Sequence, residues 1–448
     1  MIILLVNERT EIQREHFYNR NIQNLQLPFT SKMGVADSPN RVVELVFSPL
    51  MFSFSLWIIQ QAKEKGIRTL FYLARDAYPA FVVAKKLCEV YRLDIDCKYF
   101  YCSRYSLRVP MYSENIDDAL NHVCRGGIDV TFRKIMIRSG FSNNEIKHFE
   151  TVFRDIDFDK IIPYPKLPEI KAILSKNSEY IESLISISKA KWTQLVKYFD
   201  QNGLLEQNNI AIVDSGWTGT TQKSINDIRK RCQINEPVEG FYFGLYEIPK
   251  DCDKNIYHTY YFGPKVGFLN KVFFSNCLFE VLFHADHGTT TGYSFGENVE
   301  PILADYVSSN LIKNINNTIS TYADSILKND SVYLLNINCE KNKKILSRSL
   351  RRFMWNPTKK EAELFGQLMF SDDLLDQSLN QVGPIVSKNC LKENRFLNKV
   401  LTAYGIRNKH IHEVAWYEAS AVRSSQHSFL HRCSHSLYKA LSYLKKGF

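Results

Sequence analysis

The chain has 448 residues, too many for one ordinary hydrophobic core, and reads as two or three packed units. Its 45% hydrophobic and 23% charged residues are the composition of a globular protein, which excludes disorder over most of its length. A formal net charge of +10, spread along the chain, favours anionic partners, while the lack of an RNA-binding aromatic signature, zinc-finger spacing or a basic arm argues against nucleic acid.

Met1 to Val6 is apolar but has neither a basic start nor a small-residue cleavage site, so it makes a poor signal peptide. The polar, mixed stretch that follows predicts an N-terminal arm, irregular in structure, over residues 1–40. Leu45 to Ile59 is apolar over 15 residues but contains Pro49 and three serines. A membrane span needs roughly 20 residues, so this run is expected to be a core helix. Arg68 to Leu73 (RTLFYL) fits a buried strand, residues 78–92 carry a helical pattern with Val83, Leu87 and Val90, and Lys98 to Cys102 (KYFYC) fits another strand. That β-α-β succession predicts a parallel sheet.

Residues 115–205 read as a helical insertion, in which Ser142 and Glu145 form a capping box. The sheet resumes with Ile210 to Val213 (IAIV), a helix over 221–232 and a strand over Gly240 to Tyr246. From about residue 301 the pattern is helical to the end. Thr358 and Glu361 form a second capping box, with Leu364, Phe365, Leu368 and Met369 on one face. The tail from Ser428 places Leu430, Leu437, Leu441 and Leu444 on one stripe, with Lys439, Lys445 and Lys446 elsewhere. Such a helix docks on the protein's own core in the simpler reading and on an anionic membrane surface in the other. The fold class is therefore α/β: a Rossmann-like, mostly parallel sheet in a catalytic core over 41–300, with the insertion at about 115–205 and a helical C-terminal region over 301–448. The ten cysteines include no C-x-x-C pair and read as reduced thiols of a cytoplasmic protein.

Ligands of open α/β sheets bind at the carboxyl ends of the strands. Polar clusters follow the first three expected strands there: Ala74-Arg75-Asp76, Ser103-Arg104 and Asp214-Ser215-Gly216. The segment IAIVDSGWTGTTQKS is the richest, since an apolar strand ends in a carboxylate and a Gly/Thr loop enters a helix. Glycines let backbone N–H groups approach an anion, threonines add hydroxyl donors, and the helix N-terminus supplies a favourable dipole. The Walker spacing is absent.

This layout resembles the phosphoribosyl-pyrophosphate loop of phosphoribosyltransferases, although those usually carry two adjacent acids where this chain has Asp214 and Ser215. Together, ARDAY (74–78) and DSGWTGTTQ (214–222) resemble the "SRDG" and "D-x-GW-x-GT-x-Q" signatures of the glycan phosphoribosyltransferase module of bacterial dual-domain ribofuranosyltransferases. Ser103-Arg104 with Arg108, the stretch Glu280 to Tyr293, and Asn356-Pro-Thr followed by Glu361-Ala362 agree with it. The resemblance spans roughly residues 45–375, and Ala77 stands where the family usually has Gly.

The resemblance implies transfer of ribofuranose 5-phosphate from phosphoribosyl pyrophosphate to a hydroxyl of a surface glycan (O-antigen or capsule), the acceptor being lipid-linked, with Mg²⁺ as cofactor. It assigns the 5-phosphate to Gly216, Thr218, Gly219, Thr220 and Thr221, counts Ser215 and Trp217 among the donor-phosphate residues, and gives the pyrophosphate to Arg75, Arg104 and Arg108. Asp214 would hold the ribose hydroxyls or the metal ion, and Trp217 either stacks on a sugar ring or plugs the loop base. Asp76 is the candidate base, with Glu280 and His287 as competitors and Tyr293 in a secondary, acceptor-side role. The companion phosphatase of that family needs a D-x-D motif, which residues 1–45 lack, so a separate phosphatase is expected to act on the product. The rival readings are a nucleotide-sugar glycosyltransferase of the same kind of pathway and a non-catalytic, membrane-associated scaffold.

Overall fold

A computed structural model of the chain describes residues 2–27, 41–126, 130–206, 208–329, 334–371, 379–404, 406–407, 411, 413–425 and 427–445. Its central sheet has five strands, β1 (Thr69–Leu73), β2 (Asp96–Phe100), β3 (Ile210–Trp217), β4 (Glu239–Leu245) and β5 (Tyr257–Phe262), all parallel and in the order β2-β1-β3-β4-β5. The chain is thus an α/β protein, as expected. The run YHTYYF that forms β5 shows no period-2 alternation of burial, and sequence patterning does not single it out.

Strands buried on both faces read as continuous apolar runs, and RTLFYL and IAIV are two such runs. Leu70, Tyr72, Ala211 and Val213 point into one core, whereas Phe71, Leu73, Ile210 and Ile212 point into another. The first core is closed by α2 (Ser48–Lys65), α3 (Tyr78–Tyr91), α13 (Asn310–Asn329) and α14 (Cys339–Trp355). The second is closed by α9 (Ser178–Gln201) and α10 (Thr220–Arg231). A π-helical turn, Val43–Phe47, leads into α2. The segment Val43–Lys65 is long and apolar enough to cross a bilayer by length and composition, yet 83% of its most apolar window is buried inside the fold. On α3, Val83 and Leu87 face the core as expected, but Val90 faces outward.

Between β2 and β3 the chain leaves the sheet through α4 (Arg104–Arg108), α5 (Ile116–Val123), α6 (Phe132–Arg138), α7 (Asn143–Val152) and α8 (Leu167–Lys176) before α9 returns it. These helices surround their own core of Leu120, Phe132, Ile135, Phe149, Leu174 and Tyr180. The Ser142–Glu145 capping box opens α7. After β5 come α11 (Phe268–Val272), α12 (Asn276–Leu282) and an antiparallel hairpin of β6 (Thr290–Tyr293) and β7 (Pro301–Leu303). Beyond α14 lie α15 (Lys359–Gly366), the short pair β8 (Met369–Phe370) and β9 (Asn380–Gln381), then α16 (Lys388–Glu393), α17 (Phe396–Ala403), α18 (Tyr417–Ser424) and α19 (Ser428–Lys445). The Thr358–Glu361 box opens α15.

Both chain ends differ from expectation. Residues 7–23 belong to a helix, α1 (Ile2–Gln23), rather than to an irregular arm; residues 28–40 lie outside the described residues. Its anchor is electrostatic: Arg14 pairs with Glu361 at 3.3 Å, with both side chains under 9% exposed, and Tyr18 donates to Glu361 at 3.0 Å. Helix α19 docks, but by its polar side. Lys439 Nζ donates to Phe274 O (2.6 Å), Ser436 Oγ accepts from the Trp355 indole (2.9 Å), and Tyr443 stacks on Tyr246. The leucine stripe Leu430, Leu437, Leu441 and Leu444 therefore points outward, 46–61% exposed. Lys446 lies outside the described residues.

Removing one partner of a buried ion pair leaves the other charge uncompensated. Arg14→Ala is expected to cost about 3 kcal/mol in urea denaturation. The control is Arg41→Ala, which breaks the half-exposed Arg41–Glu15 pair and is expected to cost under about 1 kcal/mol. Equal shifts in the two variants would mean that α1 is not held by this pair.

Candidate functional site

The strand order reverses at β1, with β2 on one side and β3 on the other, so connections leaving β1 and β3 diverge and open a crevice at the carboxyl edge. A cavity of about 420 Å³ occupies this place. It is lined by Arg75 and Asp76 after β1, Ser103 and Arg104 after β2, and Asp214, Ser215, Gly216, Trp217, Thr218, Thr220 and Thr221 from β3 and α10. The post-strand clusters singled out in the sequence thus share one cavity.

The segment expected as a loop from Asp214 to Thr221 is mostly strand. β3 continues through Asp214, Ser215, Gly216 and Trp217, with Asp214 opposite Tyr242, Gly216 opposite Gly244 and Trp217 opposite Leu245 of β4. Gly216 has φ +114°, and a Cβ there would lie 2.3 Å from the Gly244 carbonyl oxygen, so glycine is needed for strand approach. The turn itself is Thr218-Gly219. Gly219 caps α10 with φ +62°, and a Cβ there would meet the Tyr257 ring at 2.8 Å. Among the described residues, the N-cap Gly219 offers α10 no side-chain acceptor and no acid stands in its first turn, while Thr220 and Thr221 of that turn line the cavity, an arrangement suited to an anion. Thr218 and Thr220 add hydroxyls 3.3 Å apart. Buried Gln222 fixes this end of α10 against the sheet, donating to Val238 O (2.7 Å) and Ile256 O (3.1 Å) and accepting from Tyr242 (2.6 Å).

Three carboxyl groups, those of Asp76, Asp214 and Glu280, line the same cavity. Ser215 Oγ donates to Asp76 Oδ2 at 3.0 Å, joining the ends of β3 and β1. Burial, and then the charge of Asp76, push Asp214 up to about 7, against the opposing effects of Ser215 and Arg104. Burial and Asp76 likewise push Glu280 of α12 up to about 8, although Arg104 and the Trp217 indole N–H, which donates to Glu280, oppose the rise. Arg104 stands at the start of α4, whose N-terminus is closed by a Ser103–Ser106 capping box. Arg75 Nη1 reaches the His287 carbonyl at 3.4 Å. The one cavity thus gathers the start of α10 with threonine hydroxyls, carboxyl groups and the guanidinium groups of Arg75 and Arg104.

Other expected site residues lie elsewhere. His287 does not line the cavity: its ring nitrogens meet the Tyr99 hydroxyl and the Gly288 carbonyl, both at 2.8 Å, and burial lowers its pKa. Tyr293 donates to Tyr101 O at 2.9 Å and lines a neighbouring cavity. Arg108, one turn beyond Arg104, is not among the lining residues; its charge acts on buried His122 and on Arg125. The Trp217 ring packs among Phe262, Phe274 and Phe279 and at the same time lines the cavity. Asn356, Thr358 and Glu361 serve structure, with Arg432 donating to Asn356 Oδ1 and Arg14 paired to Glu361. Conversely, Tyr105, Tyr246, Asn276 and Cys277 line the cavity without any mark in the sequence. Among the described residues, no group of three or more His, Cys, Asp or Glu side chains is arranged to hold a metal ion. No protein-family model and no curated protein matches the chain.

Carboxyls with raised pKa hold their protons more tightly in the folded state than in the unfolded one. Their contribution to stability is full below about pH 4 and is lost as pH rises through about 7 for Asp214 and about 8 for Glu280. Wild-type protein is therefore expected to lose stability between pH 5 and pH 8, on the order of 3 kcal/mol from Asp214 alone. Asp214→Asn should flatten that slope in melting curves recorded across the range. Parallel slopes for the two proteins would show that Asp214 titrates normally.

Proposed function

We propose that the chain transfers ribofuranose 5-phosphate from phosphoribosyl pyrophosphate to a hydroxyl of a bacterial surface glycan. The observation that carries this reading is the set of groups that share the cavity. The N-terminus of α10 with its threonines, the carboxyls and the two arginines Arg75 and Arg104 answer a ligand that carries a phosphate, hydroxyls and a pyrophosphate. The 5-phosphate takes the first-turn amides of α10 and the hydroxyls of Thr218, Thr220 and Thr221. Asp214 accepts from the ribose hydroxyls, and the guanidinium groups of Arg75 and Arg104 neutralise the pyrophosphate.

In the transfer, the bond from C1 to the pyrophosphate oxygen breaks and its electron pair leaves with pyrophosphate. The acceptor oxygen bonds to C1, and Asp76 takes the acceptor's proton. Charge develops on the leaving group, where the arginines are already in place. Mg²⁺ usually binds through one or two carboxylates together with substrate phosphates. Asp214 and Asp76, whose mutual repulsion a cation relieves, would hold it, and it would supply further neutralisation of the pyrophosphate. The product keeps its 5-phosphate, which a separate phosphatase removes.

Calorimetric titration with phosphoribosyl pyrophosphate, with and without Mg²⁺, tests the donor against a panel of nucleotide sugars. Selective binding is expected, abolished by Asp214→Asn and weakened roughly 10- to 100-fold by Arg104→Ala. Binding of a nucleotide sugar in its place would replace this reading with the conventional glycosyltransferase.

The acceptor is taken to be lipid-linked and the enzyme to work at the cytoplasmic face of the membrane. What supports this is the outward leucine stripe of α19 beside exposed Leu397 and Tyr404 of the adjoining α17 segment, with exposed Lys392, Arg395 and Lys445 around it. The protein should co-sediment with phosphatidylglycerol vesicles and not with phosphatidylcholine alone, and Leu437→Ser/Leu441→Ser should abolish this. Sedimentation unaffected by the double substitution would rule the stripe out as the contact.

A further inference from the structure

A second cavity, of about 480 Å³, lies between the helical insertion and the β6–β7 hairpin, within the size range of small-ligand sites. It adjoins the first. Tyr105 lines both, and the β6 segment runs past both, with Thr289 on the first and Thr291 and Tyr293 on the second. Ser103 Oγ donates to Thr290 O at 2.6 Å, so the turn that presents Arg104 is tied to that strand.

The walls combine aromatic and aliphatic surface (Tyr105, Phe141, Ile187 and Phe295) with polar side chains that include Lys191, Gln194 and the carboxylate Glu145, which is a further acceptor for hydroxyl donors. Gln194 is only 6% exposed, and its Oε1 has no hydrogen-bond partner among the described residues. Lys191 brings its ammonium to 5.9 Å from the centre of the Tyr105 ring. A purely aliphatic ligand would leave Gln194 Oε1 desolvated and unmatched. A phosphate would satisfy Lys191 but set its own acceptor oxygens against that carbonyl. A sugar meets every wall: its hydroxyls donate to Gln194 and accept from Lys191, and its C–H faces lie on the aromatic rings.

We propose that this groove binds the neutral sugar residues of the acceptor glycan that adjoin the reacting hydroxyl. The proposal rests on the reading of the first cavity as the donor site. A glycan seated against Phe295 and Tyr105 runs towards Thr289 and presents one hydroxyl to Asp76.

The test uses full-length protein carrying ¹³C-methyl isoleucine, because Ile187 and Ile302 both line the groove. A panel of methyl glycosides of neutral hexoses and N-acetylhexosamines is titrated at millimolar concentration without donor, and phosphoribosyl pyrophosphate is titrated separately by calorimetry. At least one glycoside is expected to shift the Ile187 and Ile302 signals saturably. Gln194→Ala and Phe295→Ala should each weaken that binding about tenfold while leaving donor affinity unchanged. Phe295 is 76% exposed, so its alanine variant keeps the test valid if the Gln194 variant does not fold. Methyl signals unmoved by every glycoside, with the donor still bound, would overturn the groove and spare the donor reading. Shifted signals with no donor binding would do the reverse.

Discussion

Thr69 to Tyr72 of β1 pair with Ile210 to Val213 of β3, while β2 takes the opposite side of β1, and this arrangement decides what else the molecule can build. A parallel pair needs a long crossover, and here the crossover carries the helical insertion with its separate core. Because the strand order reverses at β1, the chain ends of β1 and β3 separate above the sheet. Asp76 and Ser215 then meet across the gap at hydrogen-bond distance. The cavity is thus a product of topology, and its chemistry comes from the residues that happen to end each strand.

Burying several carboxyls together is costly unless something compensates. Here the compensation is partial. Ser215, Arg104 and the Trp217 indole each favour ionisation, yet burial and the charge of Asp76 outweigh them at Asp214 and Glu280. The cavity is left electrostatically unfinished, poised for a ligand that brings cations or hydroxyl donors to the acids and phosphates to the helix end. The start of α10, which its N-cap Gly219 leaves without a side-chain acceptor, and the arginines Arg75 and Arg104 in the same lining make the same point.

Much of the sheet was legible because its strands are buried on both faces, which leaves continuous apolar runs in a chain otherwise rich in charge. Capping boxes at Ser142 and Thr358 were legible because they are local, closed within three residues. Where partners lie far apart in the chain, inspection failed. His287 has the right chemistry for a base, but Tyr99, which occupies its ring nitrogen, stands 188 positions away. Periodicity found the leucine stripe of α19 but not its direction, because the docking face is set by the Phe274 carbonyl and the Trp355 indole. The Gly/Thr segment after Val213 had the composition of a loop. Its glycine at 216 instead answers the approach of β4, a contact that composition does not record.

That glycine has a consequence for how such a protein can diverge. Its hydrogen atom faces the Gly244 carbonyl across the ladder, while the same residue lines the cavity. Fold and site are drawn there from the same atoms, so drift at position 216 harms both at once and neither can be repaired alone. The walls contributed by α12, by the β6–β7 hairpin and by the helical insertion carry no such double duty. Descendants that change what they accept should therefore vary in those peripheral elements, around an edge of the sheet that stays as it is.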